Sequence, residues 1–362
     1  MQITNFRAES PVFHTARDWH VLIGWCLTYR SEAERSTGSE SPTPSVWGHP
    51  VCRMVKDLMR IGLINQLNGR PNGDRPSPSW ASISEQAQLA EAVGFDMFVF
   101  EDALLYRDKE HTNGLWESVS IAGALAATTD TIRIGQSVVN SPYRSPAMMA
   151  SVATTLDEIS GGRYILGIGA GNTEDSDYEA FGFPTDRRYS RFAEAIQIIH
   201  SLLKTGTADF TGQFYTVKRS ELVLRGPSQQ GPPINIAAGG EKMITLVARY
   251  GDQWNWWGHD ETIPQTEERF KPIIETLERA CQAEGRDPGS LIRTFDLYSV
   301  LAPGLEADHG MTQPVTGSPE EIAGHILSLG ELGFEEVRCD VWPKTTDAVA
   351  AMEPVVELVH RG

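Results

Sequence analysis

TIRIGQSVVNSPYRSPAMMASVATTLDEISGGRYILGIGAG (131–171) reads as a strand, a helix and a second strand. Ile132 to Val138 is rich in β-formers, and the helix opens at Ser145-Pro146, a favoured N-cap and first-turn pair. Arg163 to Ile168 is mostly apolar, as a strand buried on both faces should be. Both strands end in small residues. Ligands of parallel α/β folds collect at the carboxyl ends of strands, so Gln136-Ser137-Val138 and Gly169-Ala170-Gly171 are the first places to seek a binding site.

Outward from this unit, strand and helix alternate eight times from Met59 onward. Strands are expected near 60–64, 95–101, 132–138, 163–169, 233–238, 252–257, 293–301 and 335–342. Helices are expected near 82–93, 115–128, 145–159, 188–204, 241–250, 264–284, 318–332 and 345–360, most opened by Ser, Thr, Asp or Pro. This repetition predicts a (β/α)8 barrel. A doubly wound sheet would require a Gly-rich turn leading straight into a helix, whereas the first loop, NQLNGRPNGDRPSPS, runs on in Pro and Gly. Residues 205–232 form an insertion before the fifth strand, and its FTGQFY core (210–215) predicts a short hairpin over the barrel's side or bottom.

Residues 1–58 differ from the rest. SEAERSTGSESPTPSVWGHP (31–50) is rich in Ser, Pro and Glu and lacks sustained periodicity. The expectation is a disordered tail or a mis-assigned leader, with Met54 or Met59 as the natural start and the barrel domain occupying 59–362. The most apolar stretch, Val21 to Tyr29, is too short to span a bilayer.

The chain has 362 residues, 40% of them hydrophobic, and a formal charge of -17. That acidity opposes nucleic acid as a partner and favours a small-molecule ligand. Cys26, Cys52, Cys281 and Cys339 form no CxxC pair or metal-like cluster with His, which points to free thiols in a reducing, cytoplasmic compartment without structural zinc.

Several positions carry chemistry. Glu101, at the top of the second strand, is either a general base or a helix cap, and a site role is preferred; Asp102 reads as structural. On the sixth strand Trp254 and Trp256 share one face and Trp257 takes the other, and the pair either lines a substrate pocket or packs in the core. His259, in the following loop, is the first choice for a titrating side chain ahead of His111, with a plain exposed loop histidine as the other reading. Ala238-Gly239-Gly240 either lets the backbone approach an oxyanion at a helix N-terminus or is a plain βα turn, and Lys242 either adds charge there or is simply solvated. Gly167-Ile168-Gly169-Ala170-Gly171 partly mimics a dinucleotide fingerprint, but acidic residues follow it instead of a helix.

Four segments together resemble the bacterial-luciferase-like flavin monooxygenase superfamily from Met59 to the C-terminus. They are GFDMFVFED (94–102), the 132–171 block, DYEAFGFPTDRRYSRFAEAIQII (177–199), and PPINIAAGG (232–240) followed by ARYGDQWN (248–255). The resemblance implies a non-proline cis peptide at Ser137–Val138 behind the isoalloxazine ring, a cofactor phosphate at Ala238-Gly239-Gly240, and flavin or substrate contacts from Gly171 and Asn172. It also implies a homodimer through the second and third helices, and a flavin reductase as a partner. Three departures bear on the cofactor. Asn172 stands where some deazaflavin relatives carry a glutamate acid, Glu101-Asp102 replaces a common Asp-His, and Ala170 stands where FMN relatives often place a phosphate-binding arginine. The resemblance thus implies a monooxygenase using reduced FMN and oxygen on a small organic substrate. Its alternatives are F420-dependent hydride transfer without oxygen activation, a non-catalytic flavin-binding barrel, and, as the weakest, a Rossmann dehydrogenase.

Overall fold

The computed structural model describes residues 59–69, 78–107, 111–171, 177–258, 262–307 and 313–362. The expectations for residues 1–58 lie outside the described residues.

Eight parallel strands close a barrel: β1 (Arg60–Asn65), β2 (Met97–Phe100), β3 (Arg133–Gln136), β4 (Tyr164–Gly169), β5 (Ile234–Ala237), β6 (Gln253–Gly258), β7 (Ile292–Leu301) and β8 (Glu336–Trp342). Each strand pairs with its sequence neighbours, β8 returns to β1, and β5 pairs with both β4 and β6. This closure excludes a doubly wound sheet. The helices follow in alternation: α1 (Trp80–Val93), α2 (Ser118–Thr128), α3 (Pro146–Ser160), α4 (Arg188–Thr205), α5 (Glu241–Tyr250), α6 (Ile263–Ala283), α7 (Pro319–Glu331), α8 (Thr346–Ala351) and α9 (Glu353–Arg361).

The helix ends have local causes. Ser79 caps α1 by accepting from the Ser82 N–H, and Gly94 ends it at φ 99°, a conformation glycine adopts without a Cβ penalty. Ser318 and Glu321 form a reciprocal capping box at the start of α7. The single last helix expected over 345–360 is instead two, because the chain breaks at Met352 and Pro354 sits in the first turn of the next helix, where its missing N–H does no harm.

The expected hairpin forms from strands Thr207–Thr211 and Thr216–Glu221. Its turn is held by Glu194 of α4, whose carboxylate accepts from the N–H groups of Gln213, Phe214 and Tyr215 at 2.7, 2.9 and 3.0 Å. The sequence does not foresee a three-stranded antiparallel patch, Asn68–Gly69, Thr112–Leu115 and Leu105–Arg107, which joins the loops after β1 and β2 above the barrel.

The barrel interior has two unlike sides. Ile64, Met97, Val99 and Ile165 make a small apolar cluster separate from the main core, which lies between strands and helices. Opposite them, strands β6 to β8 carry a charged network. Arg338, fully buried, pairs through Nε with Asp296 at 2.7 Å, and Asp296 also accepts from Asn255 Nδ2 at 2.9 Å. Lower down, buried Glu336 meets Arg133 at 2.7 Å and Arg60 at 3.3 Å. Burial alone would raise the Glu336 carboxyl, but the surrounding guanidinia of Arg133, Arg338 and Arg60 hold it below the usual range.

Candidate active site

The upper end of the barrel gathers the loops that follow the strands. At the end of β3 the Ser137–Val138 peptide is cis and non-proline, where the resemblance placed it. The chain then resumes as Val139–Asn140 beside Ile168 and Gly169 of β4. Asp102, fully shielded, accepts from the Asn140 N–H at 2.9 Å, from Ser118 Oγ at 2.6 Å and from Arg144 Nη1 at 2.7 Å. It therefore pins the chain just beyond the cis bond, which is a structural task.

The Gly167–Gly171 run serves this junction. A Cβ on Gly167 would stand 1.9 Å from the Gln136 carbonyl oxygen, and one on Gly169 would stand 2.9 Å from Val138 Cγ2. These glycines let β4 pass close beneath the irregular end of β3, so their spacing mimics a dinucleotide fingerprint for a packing reason. Gly171 has φ 83°, and a Cβ there would overlap the Tyr178 hydroxyl at 1.8 Å.

Glu101 stands part-exposed at the top of β2 and points inward. It accepts from Asn68 Nδ2 at 2.9 Å and from the Tyr106 hydroxyl at 2.7 Å, so the loops after β1 and β2 hold it from two sides. Burial pushes its carboxyl above the ordinary range. The Tyr106 and Asn68 hydrogen bonds pull the other way, and the nearby Asp340 carboxylate adds to the rise. A carboxyl so placed keeps its proton to higher pH than a surface glutamate. Asp340 is itself held by Trp342 Nε1 at 2.8 Å and by Lys344.

At the end of β5, Ala238 is buried while Gly239 and Gly240 are exposed. Gly240 caps α5 without any side-chain hydrogen bond, leaving the first N–H groups of that helix facing outward. A Cβ on Gly240 would meet nothing within 4 Å. Lys242 lies 5.9 Å from the Tyr189 ring, and Arg188 next to it donates to the Gly171 carbonyl at 2.8 Å. Arg188 of α4 thus brings a guanidinium to the end of β4.

The aromatic assignment on β6 requires correction. Trp254 is fully buried on the helix side, stacked on Phe270 of α6 at 5.5 Å, and its Nε1 donates to the Ala238 carbonyl at 2.9 Å. Trp256 is likewise buried, with its Cζ3 only 2.9 Å from where a Gly239 Cβ would be. Neither lines the barrel interior; both brace the β5–α5 turn from behind. Asn255 points inward to Asp296, so strand alternation turns Trp257, half-buried, toward the mouth. His259 and Asn172 lie outside the described residues. The sequence reading missed the inward residues Asp296, Arg338 and Asp340; the last two had one legible signal, since EVRCDVW in β8 places charges at every second position.

The profile of the luciferase-like monooxygenase family matches residues 59–307. The chain belongs to that family. It is 31% identical over 220 residues to an F420-dependent hydroxymycolic acid dehydrogenase of Mycobacterium tuberculosis, covering 59% of this chain and 58% of that protein. It is 31% identical over 193 residues to the pyrimidine monooxygenase RutA of Escherichia coli, covering 51% and 47%. The chain spans about half the length of the curated relatives it matches. An F420-dependent secondary alcohol dehydrogenase, solved with an F420-acetone adduct, shares the fold at TM-score 0.69 and 18% identity, over 83% of this chain and 99% of that one. Among the described residues no helix is long and apolar enough to cross a membrane, and no cluster of His, Cys, Asp or Glu could hold a metal ion.

Proposed function

We propose that this family member is a two-electron oxidoreductase that exchanges a hydride between F420 or FMN and an oxygen-bearing carbon of a small organic substrate. The observation that carries the reading is the Glu101 carboxyl, held by Tyr106 and Asn68 at the barrel mouth with its affinity for a proton raised. Reducing a carbonyl requires a proton as well as a hydride, and Glu101 is placed to supply it.

The residues present fit the cofactor. Gly240 leaves open space at a helix start with free N–H groups, which suits a phosphate, and Arg188 and Lys242 bring positive charge to the same rim. The Ser137–Val138 bulge would back the ring, while Gly171 would contact its edge. The bound ring supplies the redox chemistry. The protein orients it, excludes water and holds the proton on Glu101.

Oxygen-dependent monooxygenation with reduced FMN is the second reading, favoured by the likeness to the pyrimidine monooxygenase. A flavin reductase as partner would belong to it, and a homodimer fits either reading.

Anaerobic titration with reduced F420 and with reduced FMN tests the assignment. Micromolar binding of at least one, about -8 kcal/mol, is expected. Oxidation of the bound cofactor by a carbonyl compound without oxygen supports hydride exchange; oxidation only after air is admitted, with an oxygenated product, supports the second reading. Binding of neither defeats both.

A further inference from the structure

The antiparallel patch above the barrel does more than join two loops. Its outer strands, Asn68–Gly69 and Leu105–Arg107, both pair with Thr112–Leu115, with Asn68 opposite Leu115 and Tyr106 opposite Asn113. The strand that carries Tyr106 is fixed again just before its start. There the Leu104 carbonyl accepts from the Leu115 N–H at 3.0 Å, and the Leu104 N–H donates to fully buried Asp177 at 2.9 Å. Asn68 is itself buried, and Tyr106 is half-buried. One small sheet therefore delivers a separate side chain to each oxygen of Glu101: Asn68 Nδ2 to Oε1 at 2.9 Å and the Tyr106 hydroxyl to Oε2 at 2.7 Å.

These two partners are chemically unequal. An amide N–H can only donate, so Oε1 must keep a lone pair toward Asn68 whatever the charge of the carboxyl. The Leu67 N–H, a third hydrogen bond to Glu101, is likewise a donor alone. A phenol hydroxyl donates or accepts by turning about its C–O bond. Tyr106 can thus donate to the carboxylate and accept from the protonated acid at the same heavy-atom separation. Of these three partners it alone can receive the O–H of protonated Glu101.

We propose that Asn68 and Tyr106 are positioning residues that place the acid proton of Glu101 on Oε2, and that the Tyr106 hydroxyl reverses from acceptor to donor as that proton leaves. The use of this proton in catalysis rests on the hydride-exchange reading. In carbonyl reduction the Oε2–H bond breaks and its electron pair stays on Glu101. The proton joins the substrate oxygen, which holds the π pair displaced by the incoming hydride. Tyr106 then turns to donate to the new carboxylate, a charge-assisted hydrogen bond, and Asn68 holds Oε1 throughout. Tyr106 keeps its own proton, and the two electrons are those of the hydride. Alcohol oxidation is the reverse. The substrate oxygen is thereby directed to the Oε2 edge of Glu101, beside the patch.

Infrared difference spectra of the full chain without cofactor, taken on either side of the Glu101 titration, test the placement. Subtracting the Glu101→Gln spectrum isolates the carbonyl band of protonated Glu101, whose frequency falls when its C=O oxygen accepts a hydrogen bond. With the proton on Oε2 that oxygen is Oε1, so Asn68→Leu should raise the band and Tyr106→Phe should raise it less. An unchanged thermal midpoint verifies each fold, and Asn68→Ala takes the place of Asn68→Leu if leucine lowers it. The opposite order, or equal shifts, overturns the proposal. The reversal of the hydroxyl has its own signature. The phenol C–O band of Tyr106 should shift in step with the Glu101 band, and the shift should vanish in both Tyr106→Phe and Glu101→Gln. A phenol band that ignores the titration overturns the reversal. If neither F420 nor FMN binds the wild type, the hydride-exchange reading falls and the catalytic use of the proton falls with it, while the infrared bands still decide where the proton sits.

Discussion

Ser137 Oγ donates to Asp296 Oδ2 at 2.6 Å, tying the irregular end of β3 to the charged network on β7 and β8. The same carboxylate neutralises buried Arg338 and receives Asn255, so one side chain serves the end of β3 and the barrel interior together. Replacing Asp296 with Ala should cost about 3–5 kcal/mol, because it leaves a buried guanidinium without its counter-charge. Ser137→Ala should cost about 1–2 kcal/mol, as it removes one hydrogen bond to a charged acceptor. Urea unfolding measures both; a loss below 1 kcal/mol in Asp296→Ala would show that Arg338 is not dependent on this carboxylate.

Glu101 should set the pH dependence of carbonyl reduction. Because its carboxyl is raised, the acid form persists above the ordinary glutamate range, and the rate should fall as pH rises through that raised value. Glu101→Gln should be slower by about 100-fold or more and flat over the same interval. A Glu101→Gln profile that keeps the wild-type limb would assign the proton to another group.

Gly240→Glu is the cleaner probe of the proposed phosphate site. At Gly239 a side chain would collide with Trp256, so weaker binding there would mix packing with charge. Gly240 has open space, and a glutamate should weaken cofactor binding at least about tenfold through charge at the helix start while leaving the thermal midpoint near wild type. Unchanged affinity by fluorescence titration would move the phosphate elsewhere.

Ser299 adopts φ 77° in a β-bulge where it and Tyr298 oppose the single residue Asp340, so Ser299→Gly and Ser299→Val should diverge. Glycine accepts the positive φ, and its relief of strain is offset by a more flexible unfolded chain, so stability should stay within about 1 kcal/mol. Valine is branched at Cβ and should cost at least about 2 kcal/mol. Equal thermal midpoints for the two variants would argue that the bulge is not held in this conformation.

His360 closes α9 onto the base of the barrel. Its Nε2 lies 3.0 Å from Asp96 Oδ2, an oxygen that also accepts from the Ile61 N–H at 2.8 Å. The hydrogen bond to Asp96 outweighs burial and raises the imidazole above its usual range. A raised pKa contributes stability that is complete below the unfolded value and is lost as pH rises through the folded one. The contribution should be under about 1 kcal/mol, since both partners are partly solvated. Denaturation of His360→Ala across pH 5–9 should lack this decline; an identical decline would place its origin elsewhere.

The barrel was legible in the chain because parallel strands and amphipathic helices impose different periodicities, and caps such as Ser79 and Ser318 mark where one gives way to the other. The cis bond at Ser137–Val138 was reached only through resemblance, since sequence physics by itself favours a trans bulge. Alternation on β6 separated Trp254 and Trp256 from Trp257 but could not say which face was inside. The usual expectation that tryptophan marks the pocket failed because this barrel reverses polarity: its interior on β6 to β8 is a hydrogen-bonded charge network around Asp296 and Arg338, and its large aromatic rings pack outward under the helices. Likewise the acidic residues after Gly171 already spoke against a phosphate loop at Gly167–Gly171, but only the approach of Gln136 and Val138 showed that the missing side chains make room for a neighbouring strand. The positive φ of Ser299 gave no local signal at all, because it depends on a one-residue bulge in which Tyr298 and Ser299 oppose Asp340 of β8, a register relationship between segments about forty residues apart that exists only once the barrel is closed.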